Sequence, residues 1–417
     1  MTTPTSATPP DAGAWSPWRS VVVFGLVSLA ADMVYEGMRA MAGPFLGSLG
    51  ASAFTVGLVT GAGEAVALVL RLVTGAWADQ GKRYWRLTFI GYALTAVAVP
   101  LLAVAPFVGA AGLGLASFLI LAERTGKAIR SPAKSALLAR MATETGRGRG
   151  FAVHKALDQV GAFAGPLLLA GAAAVTGVYW PGFALLAVPG AISLYLLALL
   201  RRRAPIDADD PVDPAARRPA AALAKVRAAV LGSELPRVFY LFSVSTALTT
   251  AGLMTFGIIS FQLVGNGLLG AAAVPLVYAG AMATEAVAAL ATGDLFDRWG
   301  GRVLVVVPVL VAAVPLLVFA HHLLPVLLGV AVWGAATGIQ DSTVKAYVAD
   351  LVPQQRRATA YGVFAGVQGL GALAGGGVAG LLVTHHLHVL AILVVAVQVV
   401  ALVLLLRTDR QVRAAAR

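Results

Sequence analysis

The stretch Asp32-Met-Val-Tyr-Glu36-Gly-Met-Arg39 lies in the middle of a hydrophobic run that extends from about residue 21 to residue 46. That run is long enough to cross a lipid bilayer, which takes about 20 apolar residues. In a helix, Asp32, Glu36 and Arg39 fall on one face. Because a charge at bilayer depth costs at least about 2.5–3.5 kcal/mol, this face is predicted to look into a protein bundle or a watery cavity.

The whole chain has the composition of a membrane protein with many spans. Of its 417 residues, 59% are hydrophobic and only 12% are charged, whereas about 25% of the residues in a soluble domain are charged. The sequence contains no cysteine, which excludes disulfides and thiolate metal sites. The net charge of +12 is interpreted as the cytoplasmic surface of a membrane protein, and no nucleic-acid partner is expected.

Apolar runs that are separated by charged or Gly/Pro-rich stretches predict twelve transmembrane helices. The predicted spans are 20–46, 54–78, 87–108, 112–138, 151–174, 179–200, 237–263, 271–293, 303–322, 325–348, 359–383 and 388–407. The longest interruption, 201–236, begins with three arginines and is interpreted as a cytoplasmic linker between two six-helix halves, 20–200 and 237–407. The remaining segments, 1–19 and 408–417, are predicted to be tails.

The distribution of basic residues predicts the orientation of the chain in the membrane. Lys and Arg occur in every second predicted loop, and the intervening loops contain none. Basic loops remain in the cytoplasm. Both termini are therefore predicted to be cytoplasmic, in the inner membrane of a bacterial-type cell.

Two loops at corresponding positions of the predicted halves share a motif. The copy in the second half contains these residues: Gly293, Asp297, Arg298, Gly300 and Arg302. The copy in the first half keeps Gly75, Asp79 and Arg83, with Gln80 and Lys82 at the positions of the other Arg and Gly. A duplicated half built around a site at the membrane midplane is typical of secondary transporters.

This motif resembles the Gly-x-x-x-Asp-Arg-x-Gly-x-Arg signature of the major facilitator superfamily, and the resemblance extends over essentially the whole chain. It implies an all-α membrane fold of twelve helices in two pseudo-symmetric halves. It also implies that the two loops latch the halves together on the cytoplasmic side. The alternative is a tight basic loop with no role beyond orientation.

A second motif, Gly161-Ala-Phe-Ala-Gly165-Pro166, lies in the fifth predicted span. It is similar to the Gly-x-x-x-Gly-Pro motif of superfamily exporters, most of which are antiporters. Small residues four positions apart also allow two membrane helices to approach closely, whatever the function. Both interpretations stay open at this point.

Most charges at predicted membrane depth lie in the first five spans, and they are the candidate residues for a proton or substrate pathway. The candidates are Asp32, Tyr35, Glu36, Arg39, Glu64, Arg71, Arg124, Lys127, His154, Asp158, Gln159 and Asp341. By the resemblance, Asp32, Glu36 and Arg124 share one wet site at mid-depth. The alternative is a set of static ion pairs, such as Asp32–Arg124 and Glu64–Arg71. His154 is interpreted either as part of a second site or as a cap at the helix end.

These patterns favour a secondary active transporter, and among transporters a proton-coupled efflux antiporter that works by alternating access. The dense basic face of the fourth span favours an alternative, an importer or facilitator of organic anions. Five histidines at predicted outside ends suggest a metal-ion transporter as a weaker alternative; they are His321, His322, His385, His386 and His388. A non-transporting receptor on the same fold is a further alternative.

No enzymatic activity is expected, because no spacing of a nucleophile and a base stands out. No cofactor and no resident metal are expected either. The predicted partners are a small-molecule substrate, protons and the lipid bilayer. The chain is expected to act as a monomer.

Overall fold

The computed structural model describes residues 15–81, 83–143, 145–204, 235–353 and 356–415. These residues are almost entirely helical, and no strand occurs among them. The N-terminal helices are α1 (Pro17–Ser48), α2 (Ala53–Gly81), α3 (Tyr84–Leu101), α4 (Gly112–Met141), α5 (Arg147–Thr176), α6 (Trp180–Leu185) and α7 (Ala187–Arg203). The C-terminal helices are α8 (Arg237–Leu253), α9 (Phe256–Gly265), α10 (Ala273–Trp299), α11 (Val306–Val318), α12 (Leu323–Ile339), α13 (Lys345–Asp350), α14 (Arg357–Leu382) and α15 (Leu387–Ala415).

Ten segments of the described chain are long and apolar enough to cross a membrane. One of the ten, Ala273–Val318, has 46 residues and contains both α10 and α11. Helix α4 is not among the ten, because the charged residues at its centre make its sequence less apolar than that of the other segments. The number of twelve spans therefore stays a prediction.

The boundaries of the predicted linker and tails are only partly described. Of the linker, 205–234 lies outside the described residues, between the end of α7 and the start of α8. At the C-terminus α15 continues to Ala415, so most of the predicted tail from 408 onward is helical, and its place outside the membrane stays a prediction. An ion pair between Asp409 and Arg413, one turn apart, supports this extra helix.

Close packing of α5 on α1 depends on the glycines of the second sequence motif. A Cβ atom at Gly161 would overlap the carbonyl oxygen of Leu29, and one at Gly165 would overlap that of Met33. The two helix backbones therefore touch over a full turn, as small residues four apart allow. This packing accounts for the glycine spacing without reference to the direction of transport.

The same arrangement recurs among the C-terminal helices. Helix α14 packs on α8, and Cβ atoms at Gly371 and Gly375 would overlap the carbonyl oxygens of Ala247 and Ala251. Again two glycines four positions apart rest on two residues four positions apart. This recurrence supports the internal repeat that the loop motifs indicate.

We expect Gly165→Leu to destabilise the protein, because a side chain at this position collides with the backbone of α1. Overpacking of this kind costs about 1–3 kcal/mol or more. Gly171→Leu is the matched control, because Gly171 lies on the same helix with open space around it. Thermal unfolding in detergent should show a marked loss for the first variant and none for the second, and equal melting temperatures would contradict the packing argument.

The N-terminal and C-terminal helices meet closely where α1 ends and α2 begins, which we call the α1–α2 end. Here a Cβ atom at Gly43 would overlap the carbonyl oxygen of Gly257, and one at Gly57 would overlap that of Gly376. We call these four residues the glycine seal. Because backbone touches backbone at both places, this end of the bundle is closed in the structure.

The predicted seventh span, 237–263, is broken in the structure into α8 and α9. At the break Met254 has a φ of 58°, which is unusual for a residue other than glycine. Its carbonyl oxygen accepts a hydrogen bond from Nε1 of Trp333 at 3.2 Å. The neighbouring Thr255 hydroxyl lies 2.7 Å from that of Thr60, on α2. These bonds offset the backbone strain, which the sequence of α8 and α9 alone does not reveal.

Candidate functional site

A cavity of about 120 Å³ lies between the N-terminal and C-terminal helices. Its lining residues are Arg39, Glu64, Leu68, Thr250, Leu253, Met254, Thr255, Trp333, Thr337, Gln340, Asp341, Gln368, Ala372 and Gly376. We call it the central cavity. The broken helix α8–α9 and its break contribute four of these residues, so the unwound turn forms part of the cavity wall.

Charged side chains from α1 and α2 form the N-terminal wall of the central cavity, and charges of α4 pair with them from behind this wall. Arg39 contacts Glu64 at 3.0 Å and Glu36 at 3.6 Å. Arg124 lies 3.5 Å from Glu64 and 2.6 Å from Glu123. Each arginine therefore has two carboxylates, as buried charges require.

The aromatic ring of Tyr35 contacts two cations of this group, Arg124 and Lys127. The guanidinium of Arg124 lies 4.2 Å from its centroid, and Lys127 Nζ lies 3.6 Å from it and also donates a hydrogen bond to the phenol oxygen. Cations are attracted to the face of an aromatic ring, more so when they are removed from water. We call Tyr35, Glu36, Arg39, Glu64, Glu123, Arg124 and Lys127 the central cluster.

One hydrogen bond links the central cluster directly to the C-terminal helices. The hydroxyl of Tyr278, on α10, donates to Glu36 Oε2 at 2.5 Å. Tyr278 is fully buried and packs against Phe256 and Trp333. A change in the charge of Glu36 would therefore alter its contacts with both the N-terminal and the C-terminal helices.

A second group of charges lies between α1, α4 and α5, nearer the start of α1. Lys134 Nζ lies 3.5 Å from Asp158 and donates to the Ser28 hydroxyl at 2.8 Å. His154 Nε2 lies 3.1 Å from the Ser28 hydroxyl and 3.7 Å from Asp158. Arg130 lies 4.0 Å from Asp32. We call Ser28, Asp32, Arg130, Lys134, His154 and Asp158 the acid–base cluster.

The structure separates residues that the sequence placed in one wet site. Glu36 and Arg124 belong to the central cluster, whereas Asp32, one turn earlier on α1, faces Arg130 in the acid–base cluster. The predicted pair Asp32–Arg124 is not formed, because Arg124 lies beside Glu123 and Glu64. The single site was therefore a wrong prediction.

The predicted pair Glu64–Arg71 is also wrong. Seven residues of one helix span about 10.5 Å, which is too far for a direct contact between these side chains. Glu64 pairs with Arg39 and Arg124 instead. Arg71 is half-buried, and its Nε has no hydrogen-bond partner among the described residues.

The remaining candidates from the sequence fall at three kinds of place. His154 is buried in the acid–base cluster and is not an exposed cap. Asp341 lines the central cavity, in a π-helical turn formed by Gln340–Val344. Gln159 is half-buried on α5, one residue after Asp158.

Several residues that the structure places in the two clusters or in the cavity wall were not among the pathway candidates predicted from the sequence, although the charges of the fourth span were visible there. Glu123, Arg130 and Lys134 have a spacing of seven and four along α4, which places them on one helix face and was a usable signal. Tyr278 gave no signal, because an aromatic residue in an apolar helix is ordinary. Gln340 gave none either, since a single amide does not stand out in a sequence.

The second copy of the loop motif is exposed at the end of α10. Arg298 pairs with Asp294 of the same helix at 2.9 Å. Gly300 has a φ of +63°, so the turn that ends α10 favours glycine. In the first copy the Asp79 side chain lies outside the described part, Gly75 faces Pro132 and Arg83 is partly exposed. The latch stays a prediction.

The described residues contain no group of three or more His, Asp or Glu side chains arranged to hold a metal ion. The five histidines named above all belong to the described part of the chain.

Comparison with known proteins identifies the family. A sequence profile of the Major Facilitator Superfamily matches residues 24–284 and 269–417. The match covers nearly the whole chain, so the protein belongs to the Major Facilitator Superfamily. It is therefore a multi-pass membrane protein of a transporter family, with a small molecule as its substrate.

Related sequences occur in mycobacteria and archaea. An uncharacterized protein of Mycobacterium bovis is 48% identical over 399 residues, which are 94% of this chain and 93% of the relative. An uncharacterized transporter of Methanocaldococcus jannaschii, described as MFS-type, is 25% identical over 379 residues, 87% of this chain and 88% of the relative.

Solved transporter structures share the fold. A nucleoside transporter, NupG, aligns with a TM-score of 0.73 over 93% of this chain and 99% of its own, at 15% identity. A bacterial homologue of the lysosomal transporter Spinster, solved inward-facing and occupied, aligns with a TM-score of 0.67 over 95% and 98%, at 14% identity. At such identities the likeness concerns the fold alone.

Proposed function

We propose that this protein is a proton-coupled efflux antiporter of small molecules, with the acid–base cluster as its proton site and the central cavity as its substrate site. In this proposal the chain has twelve spans in two six-helix halves and acts as a monomer. Both termini are cytoplasmic, in the inner membrane. The observation that carries the proposal is the buried acid–base cluster itself, none of whose members lines the central cavity.

The acid–base cluster has the composition of a proton site. Asp158 faces both Lys134 and His154, and a proton on its carboxylate would weaken its attraction to Lys134. Intramembrane acids that pair with bases are typical of proton relays. Such a change would alter the contact between α5 and α4.

The position of α5 connects this proton site to the movement of the two halves. Helix α5 packs on α1 and also contacts α10, on the other side of the interface. Phe163 of α5 packs against the core of the C-terminal helices. A protonation step at Asp158 therefore acts on a helix that contacts both halves, as coupled alternating access requires.

The ion pairs argue against the organic-anion alternative. Its main support was the basic face of α4, but Arg124 lies beside Glu123, Arg130 lies beside Asp32, and Lys134 lies beside Asp158. Bases that are neutralised in this way leave little positive charge for an anionic substrate. The efflux direction rests on the resemblance of the Gly161–Pro166 motif to that of exporters.

Proteoliposomes with an imposed pH gradient test the proposal. In wild-type vesicles, a dye that reports internal pH should respond when members of a panel of membrane-impermeant small organic cations and anions are added, and protein-free vesicles should give no response. Asp158→Asn should reduce this proton movement at least about tenfold, because the side chain can no longer bind and release a proton. Asp294→Asn, which alters an exposed acid of α10, should retain the response.

Two further measurements keep this test decisive. Asp158→Glu should restore part of the response, which separates loss of the proton site from loss of the fold. Counterflow of labelled substrate without a pH gradient should persist in Asp158→Asn. Wild-type transport that ignores the pH gradient, or full coupling in Asp158→Asn, would refute proton coupling.

A further inference from the structure

The start of α1, the start of α3 and the end of α7 lie together, at the end of the bundle opposite the glycine seal. Helix α7 packs against both α1 and α3. The backbone N–H of Trp15, just before α1, donates a hydrogen bond to the carbonyl oxygen of Arg203 at 2.9 Å. The guanidinium of Arg201 lies 5.9 Å from the ring centroid of Phe89, in the second turn of α3. These contacts join the three helix ends into one surface.

Four exposed arginines belong to this surface. They are Arg19 on α1, Arg86 on α3, and Arg201 and Arg202 on α7. We call these four residues the arginine patch. None of them has a carboxylate within ion-pair distance in the described part of the chain. The charge of the patch is therefore not balanced by any described residue, unlike the charges of the buried arginines on α4.

The helix ends increase the positive potential of the arginine patch. Arg19 lies in the first turn of α1 and Arg86 in the first turn of α3, and neither turn contains an acidic residue. The N-terminus of a helix carries a partial positive charge, which favours acids and disfavours bases. Only the arginines of α7 lie at a helix end that favours them. An anion at this surface therefore relieves a repulsion that the described residues leave in place.

Aromatic rings hold two of the guanidinium groups in place. Arg19 lies 4.6 Å from the ring centroid of Trp15, and Trp15 in turn packs against the core between α1, α3, α4 and α7. Arg201 lies beside the ring of Phe89 in the same way. A guanidinium that is held on an aromatic ring loses little freedom on binding, and its planar fork matches two oxygens of a phosphate. The patch therefore favours a phosphate group among anions.

Each helix continues from its arginine into a stripe of exposed apolar side chains. Counted from the arginine, these side chains lie three and seven positions away on α1, four and eleven on α3, and seven and fourteen on α7, where Arg202 is the reference. Such spacings keep them on one helix face. They are Val22 and Leu26 on α1, Ile90 and Val97 on α3, and Tyr195 and Val188 on α7. Exposed apolar stripes on membrane helices face acyl chains, so the patch lies at the level of the headgroups.

We infer that the arginine patch binds the phosphate of an anionic phospholipid, whose acyl chains lie along the three stripes. The stripes argue for a lipid, because a free phosphate makes no use of them. The unbalanced positive charge argues for an anionic headgroup, because a zwitterionic headgroup brings its own cation to the surface. The inference is independent of the transported substrate and of proton coupling, and it goes beyond both.

Thermal unfolding of the delipidated full-length protein in a neutral detergent tests the inference. The probes are phosphatidylglycerol, phosphatidylcholine with the same acyl chains, and glycerol 3-phosphate, which has the phosphate without the chains. A ligand that binds the folded state raises its melting temperature with concentration, and the titration gives an apparent affinity. We expect phosphatidylglycerol to bind at least about tenfold more tightly than phosphatidylcholine, and less tightly at high salt. Glycerol 3-phosphate should give no shift at the same concentration.

Two variants of the arginine patch assign the binding to it. Arg19→Gln/Arg86→Gln/Arg202→Gln should reduce the preference for phosphatidylglycerol to less than about threefold, because the headgroup loses its cations. Arg19→Lys/Arg86→Lys/Arg202→Lys should keep part of the preference, because lysine binds phosphate as a point charge. This second variant separates the loss of charge from a loss of the fold.

The matched control removes the same charge elsewhere. Arg237→Gln/Arg407→Gln/Arg410→Gln alters exposed arginines of α8 and α15 and should keep the full preference. An unchanged preference in the glutamine variant of the patch, the same loss in the control, or an equal shift with glycerol 3-phosphate would overturn the inference. The acidic stretch 207–213, which follows α7 in the sequence, is the alternative occupant. If it covers the patch, the wild-type protein shows no preference between the two lipids, and the inference fails.

Discussion

Replacement of Glu123 by glutamine is expected to lower the free energy of unfolding by about 3–5 kcal/mol, as the loss of one partner from a buried ion pair does. The Glu123 side chain is fully buried, and its carboxylate lies 2.6 Å from Arg124 and 4.0 Å from Arg130. The hydroxyl of Thr95 also donates to it at 3.3 Å. An amide cannot compensate two guanidinium groups, so the substitution leaves positive charge in the core.

Reversible unfolding by SDS in mixed micelles measures this effect. Asp294→Asn is the matched control, because Asp294 forms an exposed pair within α10 and such pairs contribute only about 0–1 kcal/mol. The double variant Glu123→Gln/Arg124→Gln should recover part of the loss, since it removes a charge from each side. If the free energy of unfolding of Glu123→Gln lies within about 1 kcal/mol of the wild-type value, the prediction is contradicted, and water reaches these arginines.

The helices were predictable because each corresponds to a local pattern in the sequence. A run of about 20 apolar residues has few alternatives to a membrane helix. The glycine motif of α5 was equally local, and its packing role was correctly offered as one of two interpretations. The break between α8 and α9 has no such local cause. The turn at Met254 depends on a hydrogen bond from Trp333, which lies 79 residues away along the chain.

The pairing of charges was less predictable than their presence. Spacing along α1 places Asp32, Glu36 and Arg39 on one face, but the rotation of α4 decides which base meets which acid. Arg124 and Arg130 are six residues apart on α4, and Arg130 faces Asp32 of α1 whereas Arg124 faces Glu64 of α2. The sequence of α4 alone does not reveal how the helix is rotated about its axis, because that rotation follows from packing against α2, α3 and α5.

The glycine seal was missed for the same reason. Gly57 and Gly376 are ordinary glycines within their own helices, and only the contact of α2 with α14 gives them a role. Their meeting has a consequence for transport. Alternating access requires the α1–α2 end to open and close in turn, and closure brings these two backbones together.

Gly57→Leu is therefore expected to abolish transport, with a loss of at least about a hundredfold, while the protein still folds. A leucine side chain at Gly57 collides with the carbonyl oxygen of Gly376 and holds α2 away from α14. A shift of an equilibrium from 1:99 to 99:1 takes about 5.5 kcal/mol. A collision with backbone cannot be relieved by a rotamer change, so the substitution destabilises the closed state by about 1–3 kcal/mol or more.

Spin labels at Ser52→Cys and Thr384→Cys report the state of the α1–α2 end, in a chain that has no cysteine of its own. Both positions are exposed, beside the start of α2 and the end of α14. Gly57→Leu should lengthen the distance between the labels, whereas Gly377→Leu, on α14 with open space around it, should leave distance and transport unchanged. A short distance together with normal transport in Gly57→Leu would mean that closure of this end does not depend on the contact between Gly57 and Gly376.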